Sequence, residues 1–299
     1  MAVRPNGEPE PGAVRAEYPQ APEEITSAIR AAAEALLRGE QVDLVIGYRP
    51  GWREGVVTPC FVRSAADAQT LIYDAHCTHN LARYLVGCDG YLTSRLRPQG
   101  QERRVGLVAT PATMRALVGL IQEHQIRREE VVVLGISDGS AVGLEPDVVV
   151  GSVTPDREAE AELSARIEAL EALSPAERWQ VWEKEFANCV RCYACRQVCP
   201  FCYCEQCIAD ENQPQWVLRS PSCANNRMWN AIRAFHLAGR CVDCGECERA
   251  CPMDIPLRVL NRALIQEVRD AYGYVAGASP DLLSPLLTFG RDGADADPR

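Results

Sequence analysis

The 299-residue sequence has no run of eighteen or more apolar residues, so it offers no segment long enough to cross a membrane as a helix. Its opening stretch, "MAVRPNGEPEPGAVRAEYPQAPEE", lacks the apolar core of a secretory signal and is rich in Pro and Glu. Residues 1–24 therefore read as a disordered leader, and the expected location is the cytoplasm. Positive charge is in deficit. Thirty-one Lys and Arg face forty-one Asp and Glu, a net charge of −10, which argues against nucleic acid and against an anionic membrane surface as partners. No GxGxxG, GxxxxGK[ST] or GxSxG string occurs, so the common nucleotide-binding and nucleophile fingerprints are missing.

Cysteine is abundant. Of fifteen, three (Cys60, Cys77, Cys88) lie in the first hundred residues, none lies between Cys88 and Cys189, and twelve crowd into Cys189–Cys251. In a reducing compartment such a cluster reads as a metal site rather than as disulfides. The string "CVRCYACRQVCP" (Cys189–Pro200) returns as "CVDCGECERACP" (Cys241–Pro252), each a C-x2-C-x2-C-x3-C-P pattern. Three closely spaced thiolates suit three corners of a [4Fe–4S] cube, while the fourth, before proline, ligates the neighbouring cube in two-cluster proteins. The expected sets are Cys189, Cys192 and Cys195 with Cys251, and Cys241, Cys244 and Cys247 with Cys199. Zinc is the competing reading, although structural zinc prefers two well-separated CxxC knuckles.

Charges near the two strings differ: Arg191 and Arg196 flank the first, Asp243, Glu246 and Glu248 the second. Positive charge favours the reduced cube, so the Cys189/Cys192/Cys195 cube is expected to have the higher potential. The surplus cysteines Cys202, Cys204 and Cys207 in "PFCYCEQC", with Cys223 in "SPSC", suggest a third metal site, completed by Cys77 or Cys60. The competing readings are buried thiols and alternative cube ligands. His76 and His79 flank Cys77 and read as ordinary polar contacts or as metal ligands. "GISDGSAVG" (Gly135–Gly143) follows an expected strand and reads as a loop, with a flavin or nucleotide contact as the alternative.

The rest of the chain supplies the setting. "PEEITSAIRAAAEALLRGE" has helical spacing; "VDLVIGY" and "CFVR" read as strands; "HNLARYLVG" reads as a short helix. Then "RVGLVA", a helix capped by Thr110 with Pro111 first, and "EEVVVLGIS" form a strand–helix–strand unit, followed by the strand "PDVVVGSV". The fold class is thus α/β over residues 25–155, with a small parallel βαβ unit. A helical linker over 156–188 follows: a charged, solvent-facing spacer, then a helix with a Ser174–Glu177 capping box. Trp179, Trp182 and Phe186 share one face of that second helix and read either as an aromatic wall beside the cysteines or as an ordinary buried helix face. Residues 189–275 form a two-cluster, ferredoxin-like domain embedded in helices, including "PLRVLNRALIQEVRDAYGY". Residues 276–299 are a tail, apolar in "SPDLLSPLLTF" and disordered in "GRDGADADPR".

"RCYACRQVCPFCYCEQC" and "AFHLAGRCVDCGECERACPMDIPLRVLNR" together resemble anaerobic dicluster ferredoxin-like proteins related to the β subunit of deazaflavin-reducing hydrogenases and dehydrogenases. A weaker likeness extends through "TLIYDAHCTHNLARYLVG" and "VGLVATPATMRALVGLIQEHQI". The resemblance implies an electron-transfer subunit of a multi-subunit redox complex with a hydrogenase, formate dehydrogenase or heterodisulfide-reductase-like core. Its partners would be other redox subunits, its cofactors two [4Fe–4S] clusters, and it would have no catalytic residues of its own. The alternative implied is a flavin-containing β subunit that converts hydride pairs into single electrons, because clusters alone cannot accept hydride.

Overall fold

Short β-branched runs with no charge in their interiors must be covered on both faces, and here they assemble one sheet. The computed structural model describes residues 21–87, 89–93, 103–140, 142–211 and 213–287. Five strands, β1 (Leu44–Pro50), β2 (Val57–Val62), β3 (Val105–Ala109), β4 (Val131–Ser137) and β5 (Val148–Ser152), lie in the order β2-β1-β3-β4-β5. β1, β3, β4 and β5 are parallel, whereas β2 returns antiparallel to β1. The sheet is therefore mixed. Pro59 is tolerated inside β2 because β2 is an edge strand, where the missing amide costs no ladder bond.

The strand–helix–strand unit forms as expected. Helix α2 (Pro111–Gln122) joins β3 to β4, and Thr110 caps it by accepting from the Thr113 amide. Helix α1 (Pro22–Arg38) starts within the stretch read as leader, while residues 1–20 and 288–299 lie outside the described residues, as does Cys88. "HNLARYLVG" is a single 3-10 turn, Leu81–Leu85, begun by Asn80.

Two further helices carry the chain to the cysteines. The expected solvent-facing spacer, α3 (Arg157–Glu171), is docked instead: Leu163 and Ile167 are buried against Val259, and Glu160 pairs with Arg258 and Arg262. Its buried stripe holds only Leu163 and Ile167, so charged residues dominate its sequence. Helix α4 (Pro175–Ala187) has the expected capping box, in which Glu177 and Ser174 exchange bonds. The last long helix, α8 (Leu257–Tyr272), ends on Gly273 in the left-handed conformation that Gly adopts without steric cost.

The cysteine-bearing segment packs into the same core as the sheet. Phe201, Leu237, Val242 and Tyr274 are buried with the strand residues. Gly119 of α2 makes room for this: a Cβ there would sit 2.8 Å from the Phe201 ring. Polar links reinforce the contact. Tyr203 donates to Glu123 at 2.8 Å, and Arg83 donates to the Gln197 carbonyl at 2.5 Å.

Candidate metal centre

The sequence repeat is also a backbone repeat. Arg191 (φ 57°) and Asp243 (φ 56°) occupy equivalent places, as do Tyr193 (φ 62°) and Gly245 (φ 73°), and all four are left-handed. Residues with a Cβ rarely take this conformation, so the surroundings must hold it. Tyr193 is held by its ring, edge-on to Trp229 at 4.9 Å, and by its hydroxyl, which accepts from Arg191 Nη2 at 3.2 Å. Each string then starts a helical turn, α5 (Ala194–Gln197) or α7 (Glu246–Arg249). Left-handed residues on either side of the second cysteine coil the chain tightly, which keeps three thiols of each string around one space.

Cys189, Cys192, Cys195 and Cys251 line one such space, of about 330 Å³ and partly open to solvent. Cys241, Cys244, Cys247 and Cys199 line a second, of about 320 Å³. In both, the fourth cysteine comes from the other string. Phe186, buried beside Cys247, and Trp182, stacked on it at 5.7 Å, supply part of the aromatic wall. Trp179 does not: it is half exposed, under the guanidinium of Arg227. Among the described residues no His, Cys, Asp or Glu side chains converge in threes around a single-ion point. A cube asks for something roomier, since it spreads its thiolates over separate irons.

The wall between these spaces is helix α6 (Cys223–Leu237), which the sequence reading missed. Its signal was present: Ser222 caps it, and Trp229, Arg233 and Leu237 recur every four residues, one face of a helix. Arg233 lines the Cys199/Cys241/Cys244/Cys247 space and Trp229 lines the other. Arg233 is buried, donates to the Cys195 carbonyl at 2.8 Å and lowers the Cys247 thiol against the effect of its burial. Its Nε has no hydrogen-bond partner, and it forms no ion pair among the described residues. A buried cation without a counter-ion is costly. The net negative charge of a cube with four thiolates is the compensation this guanidinium lacks, so the residues fit the group. Two amides complete the setting: Asn226 donates to the Cys189 carbonyl at 2.7 Å and Asn261 to the Cys247 sulfur at 3.4 Å.

Burial raises the Cys241 thiol, and lifts Cys244 to about 12 and Cys247 to about 11. Such thiols stay protonated until a metal displaces the proton. Cys199 is the exception. A hydrogen bond from Cys202, aided by Arg233, lowers it.

Folding gives the charges that flank both strings ion-pair partners. Arg191 and Arg196 both face Asp210, at 3.5 and 3.3 Å. Asp243 is held by Arg258 at 3.0 Å and by Arg262, Glu246 by Arg249 and by His79 at 3.0 Å, and Glu248 lies 3.8 Å from Arg166. Each of these flanking charges has an ion-pair partner, although Arg191 and Arg196 share the single carboxylate of Asp210.

The surplus cysteines separate. Cys202, Cys204 and Cys207 share a third space, but Cys60 and Cys77 are buried in the sheet domain and Cys223 is exposed at the start of α6. Burial pushes the Cys77 thiol to about 12, and its Sγ bonds to Asp74 and the Ile72 carbonyl. It packs as a small apolar group. His79 is a polar contact, to Glu246. In the Gly135–Gly143 loop, the Gly143 amide donates to the Gly277 carbonyl, so the C-terminal segment covers that end.

A family model described as a 4Fe-4S dicluster domain matches residues 188–256. The chain is similar to the F420-dependent formate dehydrogenase subunit beta of Methanocaldococcus jannaschii, 36% identical over 110 residues, which cover 37% of this chain and 28% of that protein. It is also similar to the F420-dependent formate dehydrogenase 1 subunit beta of Methanococcus maripaludis, 32% identical over 100 residues, 33% of this chain and 25% of that one. The chain thus spans only about a quarter of the length of these relatives. The family match decides between the two metals that cysteine spacing left open. Residues 188–256 are thus an iron–sulfur segment that matches the 4Fe-4S dicluster domain family.

Proposed function

We propose that this chain is an electron-transfer subunit of a formate dehydrogenase-type complex, passing single electrons between redox partners. Cys189, Cys192, Cys195 and Cys251 would hold one [4Fe–4S] cluster, and Cys241, Cys244, Cys247 and Cys199 the other. Such clusters supply one-electron chemistry, with potentials tuned by charge, hydrogen bonds and exposure. The observation that carries this reading is the crossed grouping of eight thiols around two spaces, with the buried Arg233 beside them. The chain's own contribution is to exclude water with Phe186, Trp229 and Ile255, and to place guanidinium and amide donors where negative charge collects.

The partner assignment follows from the two relatives, both β subunits of formate dehydrogenases. Protein purified without oxygen is expected to be brown, to bleach with dithionite, and to contain at least about eight irons and as many acid-labile sulfides. Co-purification with a catalytic formate dehydrogenase subunit is the expected partner result. A colourless product without iron overturns the cluster reading. Flavin released on denaturation would shift the role to hydride splitting.

A further inference from the structure

The third space adjoins the second dicluster set, because its Cys202 is hydrogen-bonded to Cys199. Cys202, Cys204 and Cys207 line it, in about 420 Å³ that is partly open to solvent, larger than either space described above. Among its remaining wall residues only His236 carries a side chain that can ligate a metal; the others are three arginines, Phe201, Ala209, Trp229 and Leu237. The loop carrying these cysteines is tied down through its backbone. The Cys204 carbonyl accepts from Arg196 at 2.8 Å, and the Cys207 carbonyl accepts from the Asp210 and Glu211 amides, each at 2.8 Å.

The charge on this wall points to an anionic occupant. Arg196 is paired with Asp210 and Arg240 with Glu123, whereas Arg233, which also faces the Cys199/Cys241/Cys244/Cys247 space, has no carboxylate partner among the described residues, so its one charge is shared between the two spaces. Arg233 and Leu237 line this space and the Cys199/Cys241/Cys244/Cys247 space alike; Trp229 lines this one and the Cys189/Cys192/Cys195/Cys251 space. One helix face therefore separates three thiol-lined spaces. Isolated buried thiols would need neither a shared arginine nor a common cavity.

We propose that Cys202, Cys204, Cys207 and His236 form a third iron–sulfur site, holding a [4Fe–4S] cluster through three thiolates and one imidazole. This rests on the dicluster reading of the other eight thiols. A neutral histidine in place of a thiolate raises a cluster's potential. The third site is thus expected to be the most easily reduced of the three.

Full-length protein purified without oxygen is expected to carry about twelve irons and twelve acid-labile sulfides per chain. The triple variant Cys202→Ser/Cys204→Ser/Cys207→Ser is expected to fall to about eight, with the spin-coupled EPR signal of the other two clusters intact. Wild-type protein with about eight irons overturns the third site and leaves the dicluster reading standing, whereas protein without iron overturns the dicluster reading itself. About eight irons plus one zinc that the triple variant loses overturns the cluster in favour of a single ion. If the triple variant does not fold, His236→Cys decides: one midpoint potential falls while the iron content stays the same. Three unmoved potentials overturn the histidine ligand.

Discussion

His79 Nδ1 and Glu246 Oε2, 167 residues apart, meet at 3.0 Å and tie the sheet domain to the second cysteine string. The hydrogen bond to Glu246 raises the His79 pKa above its ordinary value despite partial burial. A raised folded-state value stabilises the protein fully below the unfolded value of about 6.5, and that contribution fades as pH rises through the folded one. His79 is 37% exposed, so the effect should stay under about 1 kcal/mol. The expected result is a wild-type advantage over His79→Gln in urea midpoint at pH 6 that shrinks by pH 9. An advantage independent of pH would assign the contact to packing alone.

Arg233 should set cluster potentials. Removing one buried positive charge near Cys195 and Cys247 costs the reduced state about 2–4 kcal/mol at short range, or on the order of 100 mV for a single electron. Arg233→Gln is expected to lower at least one midpoint potential by that order in an EPR-monitored titration, while Arg233→Lys recovers part of it. Unchanged potentials in both variants would leave the residue a purely structural role.

Crossed ligation makes an asymmetric prediction. Cys251→Ser should abolish or convert the cluster of Cys189, Cys192 and Cys195, although its own string is the other one. Cys199→Ser should do the same to the cluster of Cys241, Cys244 and Cys247. The measurement is iron content with EPR of each remaining cluster. Loss confined to the string that carries the mutation would show that each string fills its own site.

Trp229 is 1% exposed, set edge-on to Tyr193 and capped by the Arg191 guanidinium at 5.0 Å. Trp229→Ala is expected to cost about 3–5 kcal/mol, because a large ring leaves a cavity that its rigid neighbours cannot fill. Anaerobic urea unfolding checks it. Trp229→Phe should lose distinctly less, since a ring still supports left-handed Tyr193.

Local signals carried far in this protein. Thr110 with Pro111, and Ser174 with Glu177, announced two helix starts, since capping depends on residues only three apart. Helix α6 was hidden for a related reason: its buried face includes Asn226, Asn230 and Arg233, so polarity masked the period. Asn226 and Arg233 are buried against the Cys189 and Cys195 carbonyls, while Asn230 donates back to the Asn226 carbonyl of its own helix. The direction of β2 was equally out of reach, since alternation does not say which neighbour a strand will join.

Cysteine spacing by itself determined that this chain carries two equivalent four-thiol strings, because ligand chemistry is written in short intervals along the backbone. Only the tertiary structure decided which charges face the thiols, which surplus cysteines share a wall, and that Arg233 stands uncompensated between sites. Those properties depend on distances across chain-remote contacts, where burial strips away water and makes one unpaired guanidinium matter.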